Sequence, residues 1–302
     1  MSRTHKRTSQ TGMGASLMKK HFGQHLLRNP LVVKSIVEKA KIKPTDIVLE
    51  IGPGTGNLTV KLLEKAKRVI AIEFDPRMVV ELQKRMQGHQ YAKKLEIIQG
   101  DAIKIDFPFF NVCVANLPYN ISSPFVFKLL THEPIFRHAV VMFQREFAMR
   151  LIARPENNLY CRLSVNTQLL SEVKHLLKVA KNNFKPPPKV DSSVVMIKPR
   201  NPRPEIQFTE WDGFIRLCFL RKNKTLGAIF KQKKVLLMLE ENYKTYTALK
   251  NIRVPKNRKT MKEMVLDVLE KTKYMGKRAR TLDIDDFLFL LKNFNEADIH
   301  FA

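Results

Sequence analysis

The sequence predicts an α/β fold in which a mostly parallel sheet carries helices on both faces and a small helical domain follows. Short apolar runs alternate with segments of helical periodicity over the first two thirds of the chain. A glycine cluster directly follows the first apolar run and opens a helical segment, and beyond position 203 the spacing is helical throughout. This alternation is typical of strand and helix units that build a parallel sheet.

Each element follows from a local pattern. A helix is expected over 29–39, where apolar residues have helical spacing and Pro30 suits a first turn. The apolar run DIVLEI over 46–51 predicts the first strand, and a helical segment over 57–67 follows it. Further strands are expected over 68–73, 95–99, 111–115, 138–143, 173–179 and 193–197, and further helices over 76–87, 123–130 and 146–153.

Composition divides the chain into three parts. A basic arm is expected over 1–20, the sheet domain over 21–202 and the helical domain over 203–302, because the polar, proline-rich segment RNPRP ends the strand pattern. Helices of the last part are expected over 211–220, 226–230, 235–239, 261–269 and 285–291.

The charge balance points to a polyanionic partner. The chain has 54 Lys and Arg against 28 Asp and Glu, a formal net charge of +26. Nucleic acid is the favoured partner, since clustered basic side chains bind phosphates. An anionic membrane surface is disfavoured because no stretch approaches about 20 apolar residues. A phosphate-binding surface, or a merely solvated helical face, is indicated by Arg216, Arg221, Lys222, Lys224, Lys231, Lys233 and Lys234.

The cysteines and the N-terminal arm give the cellular expectations. Cys113, Cys161 and Cys218 have neither zinc-site spacing nor the pattern of a disulfide framework, and no cluster of metal ligands is evident, so no metal is expected. The arm is basic and lacks the apolar segment of a signal peptide. It favours a nuclear address, while extra phosphate contacts and a mitochondrial presequence remain alternatives.

Three features lie directly after strands, where open parallel sheets bind ligands. Gly52, Gly54 and Gly56 follow the first strand. They either allow a cofactor to approach the backbone closely or only form a tight turn. Glu73 ends the second strand about 20 residues later, where a carboxylate can bind both ribose hydroxyls or serve as a cap. Asp101 follows the third strand and can receive an adenine amino group or hold a turn.

The segment Asn-Leu-Pro-Tyr over 116–119 carries the most specific chemistry. The Asn116 side-chain oxygen and the Leu117 carbonyl can accept the two hydrogens of a planar exocyclic amine. Pro118 makes the backbone after these two acceptors rigid. The ring of Tyr119, the next residue, can stack on the base. The N6 lone pair of adenine is delocalised, so two acceptors are needed to direct it at the methyl group of a sulfonium donor. A turn without chemistry is the competing interpretation.

With these residues the sequence resembles the ribosomal-RNA adenine dimethyltransferase family over nearly its whole length. The resemblance is to the eukaryotic nucleolar branch, which acts near the 3′ end of small-subunit rRNA. It is carried by the segments 23–27 and 182–188, the glycine turn, Glu73, Asp101, 116–119 and 278–280. Leu117 stands where many members have proline, a change that the branch shares and that leaves the backbone carbonyl in place.

The resemblance implies a Rossmann-like S-adenosylmethionine-dependent methyltransferase sheet and a role for each motif. Gln24, His25 and Leu27 would close over the methionine end of the cofactor, with the Gly52 and Gly54 turn beneath it. Glu73 would hold the ribose and Asp101 the cofactor adenine. The target adenine would be held between the motif of Asn116, Leu117, Pro118 and Tyr119 and the ring of Phe184.

The function implied is dimethylation of N6 on two adjacent adenosines in the 3′-terminal hairpin loop of 18S rRNA. The implied partners are small-subunit rRNA and the pre-ribosomal particle, with a part in pre-rRNA processing and assembly in the nucleolus, and a monomer is expected outside the particle. Two alternatives stay open: a monomethylating adenine-N6 enzyme, and a mitochondrial relative or assembly factor that acts mainly by binding.

Overall fold

The structure is a computed structural model that describes residues 25–255 and 257–302. A seven-stranded sheet has the strand order β4-β3-β2-β5-β6-β9-β7, and a two-stranded sheet pairs β1 with β8. The strands are β1 (Leu26–Leu27), β2 (Ile47–Ile51), β3 (Arg68–Glu73), β4 (Leu95–Gln99), β5 (Val112–Asn116), β6 (His138–Gln144), β7 (Ser171–Val179), β8 (Phe184–Lys185) and β9 (Ser192–Pro199).

Both faces of the central strands are covered. Strands β4, β3, β2, β5 and β6 are mutually parallel, and nearly every residue of β2, β3, β5 and β6 is buried. Because successive side chains point to opposite faces, burial of consecutive residues requires a layer on each side. The predicted α/β class with a mostly parallel sheet is confirmed; β9 is the exception, since it pairs with β6 in antiparallel register.

The helices that accompany this sheet begin close to their expected positions. They are α1 (Pro30–Lys39), α2 (Asn57–Leu63), α3 (Pro76–Met86), α4 (Ser122–Thr131) and α5 (Arg145–Ile152). Asn29 and Asp75 cap α1 and α3 by accepting the backbone N–H two residues on, and proline occupies the first turn of both helices. Helix α2 ends four residues before the expected position 67.

The strand order creates a switch point between β2 and β5. From β2 the chain adds β3 and β4 on one side, and then returns to add β5 and β6 on the other. At such a point the loops after the two central strands turn away from each other and leave a crevice at the carboxyl edge of the sheet. The loop after β2 is the glycine turn, and the segment after β5 is 117–119.

The remaining elements form a second compact unit of 149–171 and 202–302. Its helices are α6 (Arg162–Leu170), α7 (Phe208–Cys218), α8 (Leu226–Phe230), α9 (Lys233–Leu249), α10 (Met261–Lys271) and α11 (Ile284–Glu296). Its core is aromatic: Phe214, Phe230, Phe287 and Phe294 are fully buried and contact one another at ring-centroid distances of 5.2 to 6.4 Å.

The segment 149–171 is where the observed division differs from the expected boundary at 202. The Tyr160 hydroxyl donates to the Leu282 carbonyl at 2.9 Å, and the Trp211 indole donates to Asn166 at 3.0 Å. Arg162 binds Asp212 through two hydrogen bonds of 2.9 and 2.7 Å. These long-range bonds tie 149–171 to the helical unit, although the segment precedes the last strands in sequence. The expected arm over 1–20 lies outside the described residues.

Among the described residues, no helix is both long enough and apolar enough to cross a membrane. Nor does any group of three or more His, Cys, Asp or Glu side chains there have the arrangement of a metal site. The three cysteines are free, and burial raises the pKa of the Cys113 and Cys218 thiols.

Candidate active site

The glycine turn brings its backbone against two other segments. Gly52, Gly54 and Gly56 have φ values of 66°, 55° and 82°, in the left-handed region that favours glycine. A Cβ on Gly54 would lie 2.9 Å from the Leu26 side chain, and one on Gly52 would lie 3.7 Å from the carbonyl oxygen of Asn116. The absent side chains therefore leave a shallow cradle at the carboxyl edge of β2.

Glu73 is fixed by the same turn. Its carboxylate is 5% exposed and accepts hydrogen bonds from the Gly54 N–H at 3.1 Å and from the Asp75 N–H at 2.9 Å. Burial raises its pKa, and these backbone bonds act in the opposite direction. The side chain is thus held at the end of β3, next to the cradle.

Two cavities meet at this place. One has a volume of about 240 Å³ and includes Phe74, Asp101, Asn120 and Ile121 in its lining. The other, of about 50 Å³, is lined by residues that include His25, Gly54, Asn116 and Tyr119. Both are lined by Gly52, Glu73 and Pro118, so they form one elongated site with the Glu73 carboxylate at its middle.

The Asn116 amide has a defined orientation. Its nitrogen donates to the carbonyl oxygen of His25 at 3.2 Å. The Nδ1 atom of His25 lies 2.8 Å from the carbonyl oxygen of Pro186. The Asn116 oxygen is therefore directed away from this contact. Among the described residues, no donor binds that oxygen or the Leu117 carbonyl oxygen. Within the part of the chain that the structure describes, two neighbouring acceptors are therefore without a donor.

Tyr119 is held at three points. Its backbone carbonyl accepts the Ser122 hydroxyl at 2.9 Å, and its own hydroxyl lies 2.7 Å from that of Ser192. Its ring lies 5.6 Å from the His25 ring at an interplanar angle of 31°. Burial raises the pKa of the phenol, and the contact with Ser192 acts in the opposite direction. The aromatic ring borders the cavity that holds the two free acceptors.

A sequence model of the ribosomal RNA adenine dimethylase family matches residues 15–271. The chain belongs to this family. The predicted membership and the predicted enzyme class, an rRNA adenine dimethyltransferase, are therefore confirmed.

Relatives of the dimethylase chain support the same assignment. A probable dimethyladenosine transferase of Dictyostelium discoideum is 59% identical over 285 residues, covering 94% of this chain and 91% of its own. A ribosomal RNA small subunit methyltransferase of Arabidopsis thaliana is 53% identical over 324 residues, covering 94% and 92%. The crystal structure of a dimethyladenosine transferase from Plasmodium falciparum matches with a TM-score of 0.86 and 51% identity, over 92% of this chain and all of that one.

The structure of the dimethylase places most predicted residues together. The two cavities that meet at Glu73 and a third beside Leu27 and Glu50 are lined by residues that include His25, Leu27, Gly52, Gly54, Glu73, Asp101, Asn116, Leu117, Pro118 and Tyr119. Asp101 also holds its own turn, because one carboxylate oxygen accepts the Ile103 N–H at 2.9 Å. Gln24 lies outside the described residues, so its role stays a prediction.

Phe184 differs from the position that its predicted role requires. It pairs with Leu27 across β8 and β1, is 4% exposed and belongs to the apolar core with Leu27, Val33 and Val179. It lines neither of the two cavities that meet at Glu73. Stacking on a target base stays a prediction for Phe184, and in this structure its ring is a core side chain.

Several residues in or next to the site were not predicted from the sequence. Leu26, Phe74 and Met78 are apolar side chains beside the motifs, and nothing in their pattern separates them from core residues. Glu50 carried a signal, since it is a carboxylate within the apolar run of β2, where it is 1% exposed. Ser192 gave none, because its contact with Tyr119 spans 73 positions.

Proposed function

We propose that this enzyme uses S-adenosylmethionine to dimethylate N6 of two adjacent adenosines in the 3′-terminal hairpin loop of 18S rRNA. We place this activity in the nucleolus, on the pre-ribosomal particle, with a part in pre-rRNA processing and small-subunit assembly. One observation carries the proposal: the free Asn116 side-chain oxygen and the free Leu117 carbonyl lie beside Tyr119, at one end of a site that has the Glu73 carboxylate at its middle.

The elongated site suits a nucleoside joined to an amino acid. Asp101 and Ile121 line its wider part, where an adenine and its amino group would be bound. Glu73 would accept hydrogen bonds from the ribose hydroxyls, and the Gly52–Gly54 cradle would admit the methionine portion near His25. S-adenosylmethionine bound there supplies a methyl group on a sulfonium, which needs neither a metal nor a strong base to activate it.

The residues of the chain then orient the target amine. Asn116 and Leu117 accept its two hydrogens, which turns the N6 lone pair towards the methyl carbon and stabilises the positive charge that develops on nitrogen. S-adenosylmethionine held by Glu73 and the Gly52–Gly54 cradle would supply the methyl group to N6 and would keep on sulfur the electron pair of the broken carbon–sulfur bond. One amine hydrogen would leave as a proton to solvent, and a second S-adenosylmethionine would have to replace the spent donor before the second transfer.

The net charge and the similar proteins both support rRNA as the substrate. A net charge of +26 suits RNA, and loop bases are accessible because they are already partly unstacked. The Arabidopsis relative is named for the small ribosomal subunit. The basic side chains between 216 and 234 belong to the helical unit and would contact the rRNA backbone.

The test is methylation of small-subunit particles that lack the modification, followed by digestion and mass spectrometry of the nucleosides. The native enzyme should produce dimethyladenosine at two neighbouring loop positions. Monomethyladenosine alone would favour the monomethylating alternative, and tight particle binding without methylation would favour an assembly factor.

Asn116→Ala should bind S-adenosylmethionine normally and lose at least about 100-fold in turnover, because the amine loses an acceptor in the transition state. Asn111→Ala is the matched control. Asn111 directly precedes the first residue of β5, at the end of the strand away from Asn116, and its side chain accepts the Ile47 N–H at 2.8 Å. Normal turnover by Asn116→Ala would overturn the role assigned to the motif.

A further inference from the structure

Ser192 is a fully buried hydroxyl that contacts the proposed base-binding ring. It is the first residue of β9 and is 0% exposed. Its hydroxyl lies 2.7 Å from that of Tyr119, the ring of which borders the cavity with the free acceptors. Because the Ser192 hydroxyl is buried, it has no water as an alternative partner, and its contact with Tyr119 restricts the position of the half-buried phenol.

The position of Ser192 is itself fixed by its neighbour. The Asp191 carboxylate accepts the Lys181 N–H at 3.1 Å and pairs with the Lys178 ammonium at 3.2 Å. The Asp191 carbonyl accepts the Arg145 N–H at 3.0 Å, which joins the start of β9 to the end of β6. Ser192 is thus an anchor on the sheet, whereas Tyr119 lies on a short turn after β5.

We propose that Ser192 is a positioning residue that sets the orientation of the Tyr119 ring and thereby supports the second methyl transfer more than the first. This inference rests on the proposed function. In the first transfer two hydrogens of the amine bind the Asn116 and Leu117 oxygens. After it only one hydrogen remains, so one of these contacts is lost and stacking on Tyr119 carries more of the alignment.

The experiment compares Ser192→Ala with Ser193→Ala. Both serines are 0% exposed and adjacent on β9, but the Ser193 hydroxyl lies 3.2 Å from His175 Nε2, whereas the Tyr119 hydroxyl contacts that of Ser192. On unmodified small-subunit particles, Ser192→Ala should lower kcat for the second methylation about tenfold, with KM changed by less than about twofold. Monomethyladenosine should therefore accumulate with Ser192→Ala and not with Ser193→Ala.

Tyr119→Phe tests the same hydrogen bond without altering the strand. It keeps the ring and removes only the hydroxyl, so it should reproduce the product ratio of Ser192→Ala even if that variant folds poorly. The double variant should be no worse than either single one, since both remove one interaction. Additive losses, or an unchanged ratio of mono- to dimethyladenosine in both single variants, would overturn the inference.

The products of the native enzyme distinguish a failure of the role of Ser192 from a failure of the proposed function. Dimethyladenosine from the native enzyme together with an unchanged product ratio from the variants would overturn the role of Ser192 and leave the proposed function standing. A native enzyme that makes no dimethyladenosine would overturn the proposed function, and the inference with it.

Discussion

Glu50 and Glu73 are two buried carboxyl groups on neighbouring strands with different surroundings. Glu73 receives two backbone N–H groups at the site edge. Glu50 lies inside β2 at 1% exposure, and no hydrogen-bond partner of its Oε2 is found among the described residues. Burial raises the pKa of Glu50 from 4.5 to about 8, and the nearby Glu73 adds to the shift. At neutral pH Glu50 is therefore mostly protonated.

We expect Glu73→Gln to weaken cofactor binding. The amide nitrogen cannot accept a hydrogen bond, so one of the two that Gly54 and Asp75 donate to the carboxylate is lost, and the amide is a poorer partner for ribose hydroxyls. The dissociation constant for S-adenosylmethionine should rise about tenfold or more, measured by calorimetry. Glu64→Gln, on the exposed end of α2, is the control, and equal constants for native protein and Glu73→Gln would contradict the ribose role.

Glu50 makes stability depend on pH. Between pH 4.5 and about 8 an unfolded chain has released the Glu50 proton while the folded chain retains it. The folded chain then binds more protons, so the free energy of unfolding falls as pH rises, by up to about 1.4 kcal/mol per pH unit. Below this window the effect is absent, and above it the loss is complete.

Glu50→Gln stays neutral and removes this dependence. Its stability relative to the native protein should therefore rise from about pH 5 to about pH 8, as measured by urea unfolding at constant salt. The exposed substitution Glu38→Gln should show no such trend. A Glu50→Gln difference that is the same at both pH values would mean that Glu50 ionises normally in the folded chain.

At the scale of elements, the edge of the sheet opposite the site depends on one ion pair. Asp46, just before β2, is 2% exposed and accepts two hydrogen bonds from Arg137, just before β6, at 2.9 and 2.6 Å. The Lys43 N–H also binds it at 2.6 Å. Burial alone would raise the pKa of Asp46, but these partners outweigh it and lower the pKa.

Arg137→Ala should destabilise the fold by about 3 kcal/mol, because it leaves the Asp46 charge buried without its counter-ion. The matched control is Arg68→Ala, which removes an ion pair with Glu96 in which both side chains are largely exposed, and it should cost less than about 1 kcal/mol. Denaturant unfolding at neutral pH measures both. Equal losses would show that Arg137 acts through its exposed surface and not through Asp46.

The strands and helices show most clearly how much of this molecule can be predicted from the sequence. Strands β2, β3, β5 and β6 were predictable because each is a mostly apolar, buried run, and the glycine turn and 116–119 lie together because both follow such strands. Helix α6 was not predicted, since its Ser164, Asn166, Thr167 and Gln168 are polar yet buried. Their hydrogen bonds, such as that from Trp211 to Asn166, join distant positions and leave no local periodicity. The contact between Tyr119 and Ser192 was not predicted for the same reason.

At the scale of the whole molecule, the excess charge governs how the enzyme meets its substrate. A net charge of +26 creates a positive potential that raises the rate of encounter with RNA and lowers affinity as salt increases. Not all of this charge is available to bind phosphate. Some basic side chains are already paired, as Lys61 is with Glu64 and Lys84 with Glu81. Within the described residues, Arg221 and Lys224 have no carboxylate partner within ion-pair distance.

Arg221→Ala/Lys224→Ala should therefore weaken binding to the particle in a salt-dependent way, while Lys61→Ala/Lys84→Ala should not. Each phosphate contact contributes about one unit to the slope of log affinity against log salt, so the first pair should lower that slope by about 2. Titrations of fluorescent particles at several salt concentrations give the slopes, and S-adenosylmethionine affinity should be unchanged in both variants because the cofactor residues lie in the other unit. Equal slopes for the two double variants would mean that the charge acts as a diffuse field and that 221–224 is a solvated face.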